Sequence, residues 1–187
     1  MKERPILFSG EMVRAILEGR KTQTRRIVKD GTPDDWNACP YGVIGDRLWV
    51  RETWRLWDVL ENYVGGQNTA TVQYKAGPLG SDRVLTVSDE QRGNLSNLEN
   101  DRWRPSIFMP RWASRITLEI TGVRVERLQE ITEKDALAEG VGYAITRDCK
   151  VPQFARLWDQ INGKHAPWES NPWVWVVEFK RVSNGTI

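Results

Sequence analysis

The sequence predicts an α+β protein, a small β-barrel flanked by short helices. Three observations predict it. Several segments alternate apolar and polar residues with the period of two that a strand requires. Helical spacing is confined to short stretches. No strand–helix–strand rhythm recurs, which argues against a doubly wound parallel sheet. The length of 187 residues suits one domain with its own core.

Ser9 is placed to cap a first helix over residues 10–18, with Met12, Ala15, Ile16 and Leu17 at helical spacing. Gly19 stops it, because glycine enters the left-handed conformation cheaply. Lys21 to Arg26 then leaves as a loop or short strand. Residues 30–45 are rich in Gly, Pro, Asp and Asn and read as loop. Arg47 to Trp54 alternates, with Leu48 and Val50 on one side and Trp49 and Arg51 on the other, a half-buried strand. Ala70 to Lys75 is a second short strand. Residues 77–101 read as an excursion inserted in the domain, with little regular structure.

Ile116, Leu118 and Ile120 alternate in another strand, and Gly122 marks a bulge or turn before Val123 and Val125. Thr132 caps a short helix, with Asp135 as a weak capping box and Gly140 as the stop. Pro152 suits the first turn of the next helix, where Phe154, Leu157, Trp158 and Ile161 repeat on one face. Trp173 to Arg181 is the last strand, and residues 183–187 form a tail.

Composition narrows the function classes. The hydrophobic fraction of 40% and charged fraction of 28% are those of an ordinary globular protein. No apolar run is long enough for a membrane-spanning helix, and the N-terminal apolar stretch is too short for a signal-peptide core. Two cysteines, Cys39 and Cys149, do not make a secreted disulfide framework. A cytoplasmic chain with reduced thiols is expected. The single histidine, His165, lies in a loop-like segment, and no cluster of ligands has metal-site spacing. Neither a metal nor a cofactor is expected.

Net charge is only +2, but its distribution is uneven. Arg14 to Lys29 holds six basic residues against one acid, and Arg102 to Arg115 holds four arginines and no acid. These stretches either form a phosphate-facing patch or are solvated and paired elsewhere. Most of the ten tryptophans read as core. Trp112, between Arg111 and Ser114-Arg115, is the one singled out for base stacking, a contact worth about 1–3 kcal/mol.

Gly19-Arg20-Lys21-Thr22-Gln23-Thr24-Arg25-Arg26 is the most pointed segment. A lysine and a hydroxyl three residues apart cannot share a face of a regular strand, but they can converge on a bent loop after a helix stop. A hydroxyl beside a desolvated lysine is a workable nucleophile–base pair. On spacing alone, Lys21, Arg25 and Arg26 read as surface charges.

The Gly-x-Lys-x-x-Thr-x-Arg pattern stands at Gly19, Lys21, Thr24 and Arg26. Further blocks are Pro40-Tyr41-Gly42 with Gly45-Asp46-Arg47-Leu48-Trp49-Val50-Arg51-Glu52, Met109-Pro110-Arg111-Trp112-Ala113-Ser114-Arg115-Ile116, Ile131-Thr132-Glu133-Lys134-Asp135-Ala136 through Glu139-Gly140, and Trp173 to Phe179. Together these resemble the ASCH family of the PUA-like superfamily, in an order similar to small phage and prophage proteins. The resemblance implies a single ASCH domain over residues 1–182, with a cleft for RNA or a modified nucleoside. Some compact members are amidohydrolases acting on N4-acetylcytidine. By that match the catalytic residues are Lys21, Thr24 and Glu139. The two basic stretches supply the candidate binding residues, Arg20, Arg25, Arg26, Arg111, Trp112 and Arg115. The chain is longer than those hydrolases, so its substrate is not fixed by the match.

Binding of RNA or a modified nucleoside ranks first. The alternatives are deacetylation of an N4-acetylcytidine-like nucleoside and, third, a phage accessory role in gripping a host protein.

Overall fold

A computed structural model describes residues 1–29, 39–64, 67–77, 82–96, 102–142 and 149–182. The strands are β1 (Glu3–Leu7), β2 (Gln23–Ile27), β3 (Arg47–Arg51), β4 (Trp54–Val64), β5 (Gln67–Tyr74), β6 (Arg83–Val87), β7 (Thr117–Arg127) and β8 (Trp173–Val182). The helices are α1 (Gly10–Leu17), α2 (Asp89–Ser96), α3 (Glu133–Ala138) and α4 (Lys150–Asn162). The class is α+β, as expected. The strands pair as two sheets, β1-β3-β7-β8-β2 and β4-β5-β6. Among the described residues neither closes on itself, so the expected barrel is an arrangement of two open sheets.

Contacts divide the chain into two compact units. The first comprises Met1–Arg4, Ala15–Leu48 and Ile116–Ile187. Its core gathers Leu128, Ile131, Ala136, Phe154, Trp158, Val174 and Val176. β7 and β8 pair antiparallel, with a register shift between Ile120 and Gly122 at the bulge the glycine predicts. Thr132 Oγ1 accepts from the Asp135 amide at 3.1 Å, and the Asp135 carboxylate accepts from the Thr132 amide at 3.1 Å, closing the capping box. α4 has no side-chain cap of its own. The Glu133 carboxylate of α3 accepts its first amides, those of Lys150 and Val151. Phe154 and Trp158 are buried, but Ile161, expected on the same face, is half exposed at the helix end.

The Pro40 to Asp46 block has a local cause. The Asp46 carboxylate accepts from the Lys2 amide at 2.7 Å and from Arg4 at 2.8 Å. Gly42 has φ +119°, and a Cβ there would lie 2.8 Å from the Arg4 guanidinium. The Lys2 amide, then Arg4, hold the Asp46 carboxyl down at about 2, below its ordinary 3.8. A carboxylate with a depressed folded pKa stabilises the fold above its unfolded value and loses that contribution as pH falls through the folded one. Acid unfolding of Asp46→Asn beside the parent should show a stability gap above about pH 4 that closes near pH 2. A gap that stays constant with pH would contradict this.

The second unit comprises Pro5–Arg14 and Trp49–Arg115. Trp54, Leu56, Ala70, Val72, Tyr74, Leu95, Met109 and Ala113 form its core. Residues 77–101, expected to lack regular structure, hold β6 and α2 among their described positions. β4 was not expected as a strand at all. β3 was expected to be half buried, yet Leu48, Trp49 and Val50 are all buried, because β3 is an interior strand of its sheet. No helix among the described residues is long and apolar enough to cross a membrane.

Candidate functional site

Two helix ends and one edge strand make the site, all within the first unit. α1 terminates at Gly19, whose φ is +74°. The amides of Arg20 and Lys21 then both donate to the Ala15 carbonyl, at 2.9 and 3.0 Å. The chain is thereby turned into β2, which lies at the sheet edge against β8. Lys21 makes an antiparallel bridge with Glu139 just before the strand begins. The Thr22 amide donates to the Ala138 carbonyl at 2.8 Å, tying the end of α3 to the same segment. Gly140, with φ +85°, ends α3. A Cβ there would sit 2.9 Å from the Ala15 Cβ and 3.0 Å from the Lys21 Cβ, so glycine is required by conformation and by space.

These turns bring Lys21 and Glu139 together from 118 residues apart. Lys21 Nζ donates to Glu139 Oε2 at 2.8 Å and to the Glu139 carbonyl at 2.9 Å. The other carboxylate oxygen, Oε1, accepts from Arg25 Nη1 at 3.2 Å. The side chains of Lys21 and Arg25 are fully buried, and that of Glu139 is 3% exposed. Burial pushes the Lys21 ammonium below its ordinary pKa, against the opposing pull of Glu139.

The pair belongs to a larger network. Arg25 also bonds Glu126 and lies 3.7 Å from Asp135. Arg124 bonds Glu126 at 2.9 Å, Asp135 at 3.3 Å, and Glu178. Lys21, Arg25 and Arg124 thus face four carboxylates, those of Glu126, Asp135, Glu139 and Glu178. Arg26 is a fourth cation within electrostatic reach of Lys21 and Glu139, so cations and carboxylates balance in number.

The remaining predicted residues fall in three places. Thr24 is buried in β2 opposite Val177, and strand alternation turns its side chain to the face away from Gln23 and Arg25. Arg26 shares that face; burial lowers its pKa, with Tyr41 opposing. Arg20 bonds Glu18 at 2.7 Å and the Gly140 carbonyl at 3.0 Å. It lines a surface hollow of about 430 Å³ with Thr22, Lys134 and Ala138. Arg111, Trp112 and Arg115 belong to the second unit. Arg115 makes a two-pronged bond to Glu52, both contacts at 2.9 Å, and stacks 4.0 Å from the Tyr74 ring centre. It is a structural residue there. Arg111 and Trp112 are exposed.

Sequence reasoning did not single out Glu126, Glu178 or Arg124, and it took Asp135 only as a cap. Alternation along β7 puts Arg124 and Glu126 on one face, which was the available signal.

Fold and site together define an α+β protein with a buried lysine–carboxylate centre at the edge strand of its larger sheet. No family model matches the chain, and no curated protein matches it. Two solved structures are similar to it over nearly its whole length. One is a DUF984-family protein from Enterococcus faecalis, 10% identical, with a TM-score of 0.45, covering 97% of this chain and 81% of that one. The other is an ASCH domain from Lactobacillus crispatus, 12% identical, with a TM-score of 0.45, covering 96% of this chain and 79% of that one. The second bears the family name that the sequence motifs resemble.

Proposed function

We propose that this protein binds RNA or a modified nucleoside at the corner formed by Lys21 and Glu139, with Thr24 on the adjoining face of β2. The observation that carries the reading is the Lys21–Glu139 pair itself, held at 2.8 Å with both side chains removed from water. A buried ion pair adds little over apolar side chains of the same volume, so stability alone does not call for one here. A nucleobase edge offers amine donors beside ring acceptors, and a carboxylate beside an ammonium complements such an edge. A network whose cations are already matched by carboxylates favours a neutral base with an amine over a phosphate. Arg20 and Lys134, at the neighbouring hollow, are the groups placed for a flanking backbone.

Hydrolysis is the second reading, favoured by the lowered pKa of Lys21. This reading requires the Thr24 side chain to turn from its strand face towards Lys21, whose neutral amine would take the hydroxyl proton as Thr24 Oγ1 attacks the acetyl carbonyl of an N4-acetylcytidine-like substrate. The C–N bond would break with a proton returned to the leaving cytosine amine, which Glu139 would hold. Water would then release acetate from the acyl-threonine. Arg26 is the residue for the oxyanion.

The test is a titration with short RNAs and modified nucleosides, including N4-acetylcytidine, with acetate release followed in parallel. Lys21→Ala should weaken binding at least about tenfold while circular dichroism stays unchanged. Equal affinity in parent and variant, or no binding by the parent at low salt, would overturn the reading.

A further inference from the structure

The smaller sheet, within the second unit, has an open edge at β6. That strand pairs with β5 on one side only, from Asn68 opposite Val87 to Val72 opposite Arg83. In an antiparallel pair, alternate residues turn their amide and carbonyl away from the partner strand. Among the described residues no strand pairs with those outward groups of β6. Edges of this kind are commonly blunted by lysine, proline or a bulge. The Arg-Val-Leu-Thr-Val sequence of β6 has neither residue, and its pairing with β5 shows no register shift.

The same strand lines a hollow of about 490 Å³. Leu85 and Val87 of β6, Leu95 of α2 and the Trp112 ring give it apolar walls. These walls are set in advance. Leu85 and Val87 pack on the buried core of the unit. The Ser88 amide donates to the Gln91 side chain at 2.9 Å and the Gln91 amide to Ser88 Oγ at 3.2 Å, so α2 starts directly off the end of β6. Asn68 Nδ2 donates to the Asp89 carboxylate at 2.7 Å and ties that start to β5. Trp112 meets the buried Trp54 edge to face, with ring centres 5.7 Å apart and planes at 88°, yet keeps 37% of its surface exposed.

One ligand satisfies both features. A chain added along β6 meets its outward backbone groups and sets every second side chain on the side of the hollow. We propose that β6 binds an extended peptide segment of a partner protein, with one large apolar side chain seated in the hollow against Trp112. The intervening side chains of the peptide lie on the face of Val84, which is 62% exposed, and β-branched residues suit that face. A second copy of this chain is the poorer occupant. The five residues of β6 span only about 17 Å, too little to bury by themselves the roughly 800 Å² that a stable protein–protein interface takes from each partner. A peptide needs no more than the edge and the hollow. The proposal uses no residue of the Lys21 network, so either can fail without the other.

Calorimetric titration of the full chain tests this with a blocked heptapeptide in which threonine alternates with valine and phenylalanine stands at the centre. The heptapeptide should bind, and replacing its phenylalanine with alanine should weaken it at least about tenfold. N-methylation of alternate peptide amides separates strand addition from simple contact. Methyl groups on the amides that face β6 should abolish binding, whereas the same groups on the intervening amides should be tolerated. Both comparisons leave the protein unaltered. Trp112→Ala should weaken the phenylalanine peptide at least about fivefold and the alanine peptide little. Hydrogen exchange at alternate amides of β6 should slow when the heptapeptide is bound. The proposal is overturned if the heptapeptide does not bind, if the two methylated forms bind alike, or if its phenylalanine can be replaced without loss. A dimer in sedimentation whose β6 amides are already protected without peptide overturns it in favour of a second copy.

Discussion

Replacing Glu139 with leucine should lower the unfolding free energy by about 3–5 kcal/mol, the cost of stripping a partner from a buried charge. Two cations lose it at once, Lys21 at 2.8 Å and Arg25 at 3.2 Å. Arg25 retains Glu126, and Lys21 keeps its bond to the Glu139 carbonyl, a neutral acceptor in place of a carboxylate. The apolar double variant Lys21→Met/Glu139→Leu should recover most of the loss, because neither charge then needs desolvating. Urea unfolding of the parent, both single variants and the double variant closes that cycle.

The pH dependence has a fixed sign. The folded pKa of Lys21 lies below its ordinary 10.5, so between the two values the unfolded chain binds more protons and stability rises with pH. Without Glu139 the burial penalty on the ammonium is unopposed. The deficit of Glu139→Leu should therefore shrink as pH rises towards the lysine's unfolded value. A deficit that grows with pH over that range would contradict the assignment of Lys21 as the stranded charge.

Gly140→Ala should destabilise by about 2–4 kcal/mol, from the left-handed backbone and from overpacking together. The added Cβ would meet the Cβ atoms of Ala15 and Lys21 at 2.9 and 3.0 Å. Gly19 is the matched control, since its φ is +74° but nothing lies within 4 Å of an added Cβ. Gly19→Ala should cost only about 1–2 kcal/mol, the conformational part alone. Thermal unfolding of the two variants separates space from conformation. Equal losses would mean that the close approach of Gly140 to Lys21 carries no energetic weight.

What could be read from the chain was mostly local. The glycine stop of α1, the capping box and stop of α3, and the bulge near Gly122 each depend on residues within a turn of one another. β4 was missed because its register shifts between Leu56 and Asp58, which breaks the alternation that marks a strand. β6 was missed because it is short and puts Val84 at 62% exposure, a poor match to a buried face. The two-sided burial of β3 depends on its neighbours in the sheet, which its own five residues do not encode.

The site was legible only through family resemblance. Lys21 and Glu139 lie 118 residues apart, and no spacing rule joins them. On spacing alone Lys21 and Arg25 read as surface charges, whereas both are fully buried. Their carboxylate partners come from β7 and from α3 and its C-terminal end, and pairing over such separations is decided by the fold. Trp112 is the converse case: read against the general expectation of core tryptophans, it is one of the exposed ones.

Nuclear magnetic resonance can follow the Lys21 side-chain nitrogen and the Thr24 methyl group while a bound nucleoside or short RNA is titrated to saturation. Ligand occupying the corner should shift both signals along one binding curve, with the Glu139 carboxyl carbon moving in step. Saturable binding that leaves all three unmoved, with shifts confined to other residues, would contradict the claim that this buried pair is where the ligand sits.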